Sequence, residues 1–182
     1  GPESIDAAYA IAHIARNFSS TGNYPKALSL YKRVLAIREK AHGPEHTDVG
    51  ASLSDLARLL QTQGSYAEAR PLFERTLAIN EKALGPEHPD VGASLNNLAN
   101  LLSDQGSYAE ARPLLERSLA IWEKVLGPEH PNVGASLNNL AALLDAQGFY
   151  AEAQPLFERT LAILEKSLGP EHPNVATSLN NL

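Results

Sequence analysis

The chain contains no cysteine. Disulfides and thiolate metal sites are therefore excluded, and nothing demands an oxidising compartment, so the expected setting is cytoplasmic. No apolar run approaches the roughly 18 residues of a membrane span. An excess of positive charge is also missing: the net charge is −6. A duplex-binding surface needs clustered Lys and Arg to displace counterions, so nucleic acid is not an expected partner. Glycine never gathers into a phosphate-cradling loop. No nucleophile stands with a base and an orienting group at matched spacing. Ser52, Ser94, Ser136 and Ser178 recur beside Leu, and no histidine stands at the spacing that a nucleophile and its base require. The expectation is a protein with no catalytic centre, no cofactor and no metal.

What is present is a period. Gly-Pro-Glu-His begins at Gly43, Gly85, Gly127 and Gly169, in steps of 42 residues. Gly22, Gly64, Gly106 and Gly148 keep the same step, each followed two residues later by Tyr24, Tyr66, Tyr108 or Tyr150. A fixed period of this size marks a stacked array rather than one globular core. Hydrophobic residues make up 43% of the chain, enough to bury a continuous interior. The spacing predicts repeats at 5–42, 47–84, 89–126 and 131–168, then a half repeat at 173–182. Gly1-Pro2 reads as the scar of a cleaved purification tag, so residues 1–4 form a leader. The stop at Leu182, inside a recurring Ser-Leu-Asn-Asn-Leu string, implies a piece of a longer array.

The third unit shows how each repeat should fold. Gly85-Pro86 ends the preceding helix, because Gly allows a left-handed exit and Pro cannot continue the ladder. Pro89 suits the first turn of a helix A, where its missing N–H costs nothing. Val91, Leu95, Leu98, Ala99, Leu101 and Leu102 follow at helical spacing. Ser107 and Glu110 then match a capping box opening a helix B from Tyr108 to about Leu126. Ser65 and Glu68 repeat it, whereas Phe149 predicts a weaker start in the fourth unit. The expected buried set of helix B is Ala111, Leu114, Leu115, Leu119, Ile121 and Val125. Pro71, Pro113 and Pro155 should bend their B helices without breaking them, because the apolar period runs through them. Small residues mark close helix approach at Ala57, Ala99 and Ala141, and at Ala69, Ala111 and Ala153. In the half repeat, Leu179 and Leu182 could cover the last B helix.

Helix pairs joined by Gly-x-Tyr-x-x-Ala resemble the tetratricopeptide repeat, whose usual unit is about 34 residues. The strings Leu-Gly-Pro-Glu-His-Pro-(Asp/Asn)-Val, Ser-Leu-Asn-Asn-Leu-Ala and Leu-Ala-Ile-x-Glu-Lys resemble the longer repeats of the kinesin light chain family and of bacterial repeat proteins. The likeness implies an all-α, right-handed α-solenoid of antiparallel helix pairs, with A helices lining a concave groove. It also implies a scaffold that binds an extended peptide there, often one with Trp or Leu flanked by acidic residues. The uniform units and the lack of a heptad region point to a bacterial adaptor or signalling array rather than a motor subunit.

Candidate binding residues fall on helix A. Asn96-Asn97, Asn138-Asn139 and Asn180-Asn181 sit mid-helix, with Ser54-Asp55 in their place in the second unit. Packed helices lie about 8–10 Å apart, and an extended peptide rises about 3.3 Å per residue. One Asn per repeat could hold a peptide backbone at every third residue, using donor and acceptor together. The same amides could instead bond between neighbouring A helices. Arg16 and Arg58 occupy matching positions, with Asn100 next in that column; His13 and Tyr9 share the face. Arg could pair with a carboxylate of an acidic peptide or simply be solvated. Arg38, by the resemblance, reaches the groove rim. Asn80, Trp122 and Leu164 follow in its column, and Trp122 could anchor a ligand or pack internally. The histidines of Gly-Pro-Glu-His are one repeat apart, near 10 Å, and zinc–nitrogen bonds are about 2 Å. They cannot share an ion between units, so a loop or cap role is expected. Glu81-Lys82, Glu123-Lys124 and Glu165-Lys166 read as a solvated outer face. Two other functions compete with peptide binding: a self-associating structural array, and a regulatory array within a larger signalling protein.

Overall fold

The computed structural model describes residues 4–169, 171, 172, 175, 178 and 179, without the Leu168 side chain. Among these residues eight α-helices alternate with tight turns. They are α1 (Ile5–Ser20), α2 (Tyr24–His42), α3 (Thr47–Thr62), α4 (Tyr66–Leu84), α5 (Pro89–Asp104), α6 (Tyr108–Leu126), α7 (Pro131–Ala146) and α8 (Tyr150–Leu168). The half repeat 173–182, with Asn180, Asn181 and Leu182, lies largely outside the described residues. Within it Val175 and Ser178 are buried, but Leu179 is 53% exposed and is not the cover the sequence suggested.

The chain forms two compact units, residues 1–86 and 87–182. In the first, α1 pairs with α2 and α3 with α4, and α2 packs on α3. Val49, Leu53 and Ile79 form an interior between α3 and α4, and Leu35 of α2 packs against it. Ala8, Ala12, Val34 and Ile37 do the same between α1 and α2. In the second unit, α5 pairs with α6 and α7 with α8, while α6 and α5 both touch α7.

The helical periodicity translates directly into burial in α5: Val91, Leu95, Leu98, Ala99, Leu101 and Leu102 are all buried. In α6 the buried face is rotated from the expected one. Ala111, Leu115 and Ile121 are inside, Leu114 and Leu119 are half-buried, and Val125 is 46% exposed. Ser118 and Trp122 complete the interior instead. The reason is a close approach of the paired helices at glycine. Ser118 Oγ donates to the Gly92 carbonyl at 2.8 Å. Thr76 and Thr160 make the equivalent bonds to Gly50 and Gly134, at 3.1 and 3.3 Å. A hydroxyl can be buried there because the carbonyl above it accepts its proton.

The A-to-B turns close differently from a capping box. Gly106 has φ +75°. Its N–H bonds to the Ser103 carbonyl at 2.9 Å, and the Ser107 N–H bonds to the Leu102 carbonyl at 2.8 Å. This pair is a Schellman closure of the preceding helix. Ser107 therefore has no free backbone N–H for Glu110 to reach, and its ψ of 54° differs from the extended value of a capping residue. Its side chain makes no capping bond, and the same holds at Asn23, Ser65 and Phe149. Phe149 has the same backbone geometry as Ser107, so the fourth unit does not start differently for want of a hydroxyl.

The B-to-A turns carry side-chain caps. His46, His88 and His130 have extended backbones, and each Nδ1 accepts the N–H two residues on, at 3.1, 3.2 and 3.1 Å. Ser4, set in the leader by the sequence pattern, caps α1 by accepting the Ala7 N–H at 3.2 Å. Outside, Lys82, Lys124 and Lys166 pair with Glu45, Glu87 and Glu129. These pairs are about two-thirds exposed, so each contributes roughly 0–1 kcal/mol.

Candidate functional site

On the A helices of the first unit, Asp55 of α3 lies between two arginines. Its Oδ2 is 4.0 Å from Arg16 Nε of α1, and its Oδ1 is 3.6 Å from an Arg58 guanidinium nitrogen one helical turn on. Both arginine side chains are 58% exposed. At that exposure the pairs add little stability, but the forks keep donors facing solvent. Two arginines against one carboxylate leave a local positive charge in an acidic chain. His13, three residues before Arg16, is exposed, and Ser54 is half-buried. Tyr31 of α2 is buried beneath this cluster. Burial pushes its phenol above the usual tyrosine range; Asp55 adds to the shift, and Arg16 and Arg58 oppose it.

The second unit presents amides. Asn139 Nδ2 of α7 donates to Asn96 Oδ1 of α5 at 3.0 Å. Asn96 and Asn139 thus join neighbouring A helices. Asn97, Asn100 and Asn138 are half-buried on the same helices. Beside Asn138 and Asn139 opens a cleft of about 500 Å³, lined also by Pro131, Gly134, Thr160 and Leu164.

Two candidates are corrected. Arg38 is 5% exposed and does not reach a rim. Its guanidinium donates to the Asp48 carbonyl at 3.0 Å and to Ser52 Oγ at 2.8 Å, tying α2 to the first two turns of α3. Trp122 is also 5% exposed. Its Nε1 donates to the Pro89 carbonyl at 3.0 Å, and its indole lies against Gly92. Both side chains are spent on packing inside the array, where a ligand cannot reach them.

The burial of Trp122 explains the cleft that sequence reasoning missed. Pro131 and Gly134 are the counterparts of Pro89 and Gly92, the two residues that Trp122 touches. In α8 the same column holds Leu164, a smaller side chain whose Cδ2 lies 3.9 Å from a Cβ built on Gly134. Space filled by an indole in one hairpin is open in the next. The signal was present as the alternation Arg38, Asn80, Trp122, Leu164, but only the packing shows that this column fills the interior.

Two family models, both described as the tetratricopeptide repeat, match the chain: one over residues 6–82, 48–111 and 90–148, the other over 133–174. The chain belongs to the tetratricopeptide repeat family. A Podosopora anserina protein described by kinesin light chain, nearly identical TPR-like repeats is 36% identical, with a TM-score of 0.81 over 98% of this chain and 85% of that one. BtubC (BKLC) from P. vanneervenii is 25% identical, with a TM-score of 0.82 over 94% of this chain and 68% of the other. Aspartyl phosphate phosphatase F from Bacillus subtilis shares the fold alone, at 15% identity and a TM-score of 0.75 over 90% of this chain and 41% of that one. No curated protein sequence matches at a significant level. The fold class is accordingly the all-α solenoid of tetratricopeptide repeats. Such repeats are generally scaffolds for protein–protein interaction. Among the described residues, no helix is long and apolar enough to cross a membrane.

Proposed function

We propose that the chain is a cytoplasmic scaffold whose A-helix faces hold an extended, acid-bearing peptide segment of a partner protein. The cleft beside Asn138 and Asn139 carries this reading. It is lined by apolar groups from Pro131, Ala135 and Leu164 and bordered by two amides, the combination that seats one apolar side chain and bonds its backbone. Asn97 and Asn100 extend the amide surface along α5. Within the first unit by itself, Arg16 and Arg58, with His13 beside them, offer a charge that takes a carboxylate. Asn96 and Asn139 hold α5 and α7 in register, and Asp55 holds the two arginines.

The test is selection of a peptide library on the full chain, followed by Leu164→Trp. Tryptophan already stands at the matching position 122, so the substitution fills the cleft with a side chain that this repeat accommodates. Selected peptides should lose at least tenfold in affinity while the circular dichroism spectrum is kept. A library yielding no peptide, or peptides bound equally by the variant, refutes the proposal.

A further inference from the structure

The junction of α2 and α3 brings together three side chains that no other repeat combines. His42 ends α2, His46 caps α3, and Asp48 lies in the first turn of α3. One donor atom from each lies within 4.8 Å of the other two. His42 Nε2 is 3.4 Å from Asp48 Oδ2, and His46 Nδ1 is 3.9 Å from the same oxygen. The imidazoles are stacked, with centroids 4.3 Å apart.

We infer that His42, His46 and Asp48 form a binding site for a divalent transition ion of the zinc class. Two imidazoles and a carboxylate suit zinc and its neighbours far better than calcium or magnesium, which prefer all-oxygen shells. Zinc bonds of about 2.0–2.2 Å in a tetrahedron put donor atoms roughly 3.3 Å apart. The His42–Asp48 separation is already at that value, and the His46–Asp48 separation closes with a movement of about half an ångström. The ion lies in the plane of each imidazole that binds it, so the stacked rings turn apart on binding. Through Nδ1, His46 exchanges the capping hydrogen bond from the Asp48 N–H for a coordination bond. The side chains of His42, His46 and Asp48 are 29%, 44% and 28% exposed, so the ion can enter, and water completes its shell.

Neighbouring groups shape the site. The Tyr9 hydroxyl donates to Asp48 Oδ2 at 3.5 Å, a bond of the kind that orients a ligating carboxylate. Arg38, whose guanidinium carbon is 5.0 Å from the Tyr9 ring centre, adds a positive charge close by. That charge holds the affinity below that of a cysteine-built structural site. The other junctions lack the set: Leu84 and Leu126 replace His42, and Asn132 replaces Asp48 two repeats further on. The ion would bridge the end of one helical hairpin to the start of the next across Gly43 and Pro44.

The test uses the chelator-treated chain and zinc chloride. Calorimetry should show one equivalent, and the melting temperature should rise with zinc, because an ion that binds the folded state stabilises it. Ring proton resonances of His42 and His46 should move together, with those of His88 and His130 unchanged. His42→Leu, which installs the residue of the other repeats, should weaken binding at least tenfold and abolish the thermal shift; Asp48→Asn should weaken it similarly. His88→Ala should bind as the parent does. Absence of binding in the parent, undiminished binding in His42→Leu, or resonance shifts distributed over all the capping histidines would overturn the assignment.

Discussion

At the residue scale, Tyr31 shows how a polar group is kept neutral inside the array. Its folded-state pKa is raised, first by burial and then by Asp55. The folded chain therefore holds this proton more tightly than the unfolded chain, whose tyrosine titrates near 10. The associated stability is present below that value and is lost as pH climbs through the raised folded value. Urea midpoints measured at about pH 9 and about pH 11 should fall further for the parent than for Tyr31→Phe; parallel falls would contradict this account. Two glycines make a sharper pair. A Cβ on Gly92 would lie 2.7 Å from Trp122 Nε1 and 3.1 Å from two ring carbons, whereas one on Gly50 meets Asn80 Oδ1 at 3.4 Å. Both glycines are inside helices, where alanine is preferred by about 1 kcal/mol. Gly50→Ala should then raise the denaturation midpoint. Gly92→Ala should lower it, at a cost of about 1–3 kcal/mol in stability, because the rigid indole has to shift. Equal effects at the two positions would show that the indole does not set the cost.

At the scale of the element, the two kinds of turn are closed by different chemistry, and mutation should separate them. Ser107→Ala removes no capping bond, so its cost should stay below about 0.5 kcal/mol. Gly106→Ala forces a side chain to φ +75° and should cost more than about 1 kcal/mol. His130→Ala loses a real cap and should cost about 1 kcal/mol. Chemical denaturation followed by circular dichroism gives all three, and a Ser107→Ala variant as damaged as Gly106→Ala would restore the capping box. The Ser-x-x-Glu string looked like that box because sequence spacing carries no information about the preceding helix. Ser107 is both the end of one closure and the start of the next helix, and its N–H can serve only one. The apolar stripe of α5, by contrast, was legible residue by residue, since a period of 3.6 fixes one face whatever the neighbours are. In α6 the stripe was misjudged because Gly92 lets Ser118 and Trp122 approach, a property of the facing helix.

For the whole molecule, the repeat period and family could be read from spaced glycines and tyrosines, but the site could only be outlined. Asn96 and Asn139 were visible as a column; their mutual bond depends on the offset between α5 and α7. Arg38 and Trp122 were visible as exceptions to the repeat; the resemblance set Arg38 at a rim and the sequence left Trp122 between anchor and packing, whereas exceptions in an inward column fill or open interior space. His42 was not singled out at all, because its partners come from a different helix. Charge distribution supplies the remaining prediction. The chain carries a net charge of −6, so its overall charge does not favour an acidic peptide, and on the proposed reading the attraction comes from Arg16 and Arg58. Their guanidiniums are more than half exposed and fall within reach of screening ions, whose Debye length is about 10 Å at 0.1 M salt. Affinity for a selected acidic peptide should therefore fall as salt rises from about 0.05 to about 0.5 M. In the double variant Arg16→Ala, Arg58→Ala the peptide should bind at least tenfold more weakly at low salt. Its affinity should then change little as salt is added, because the exposed charges that drew the peptide are gone. A double variant that keeps the parent's salt slope would place the carboxylate contact elsewhere on the chain.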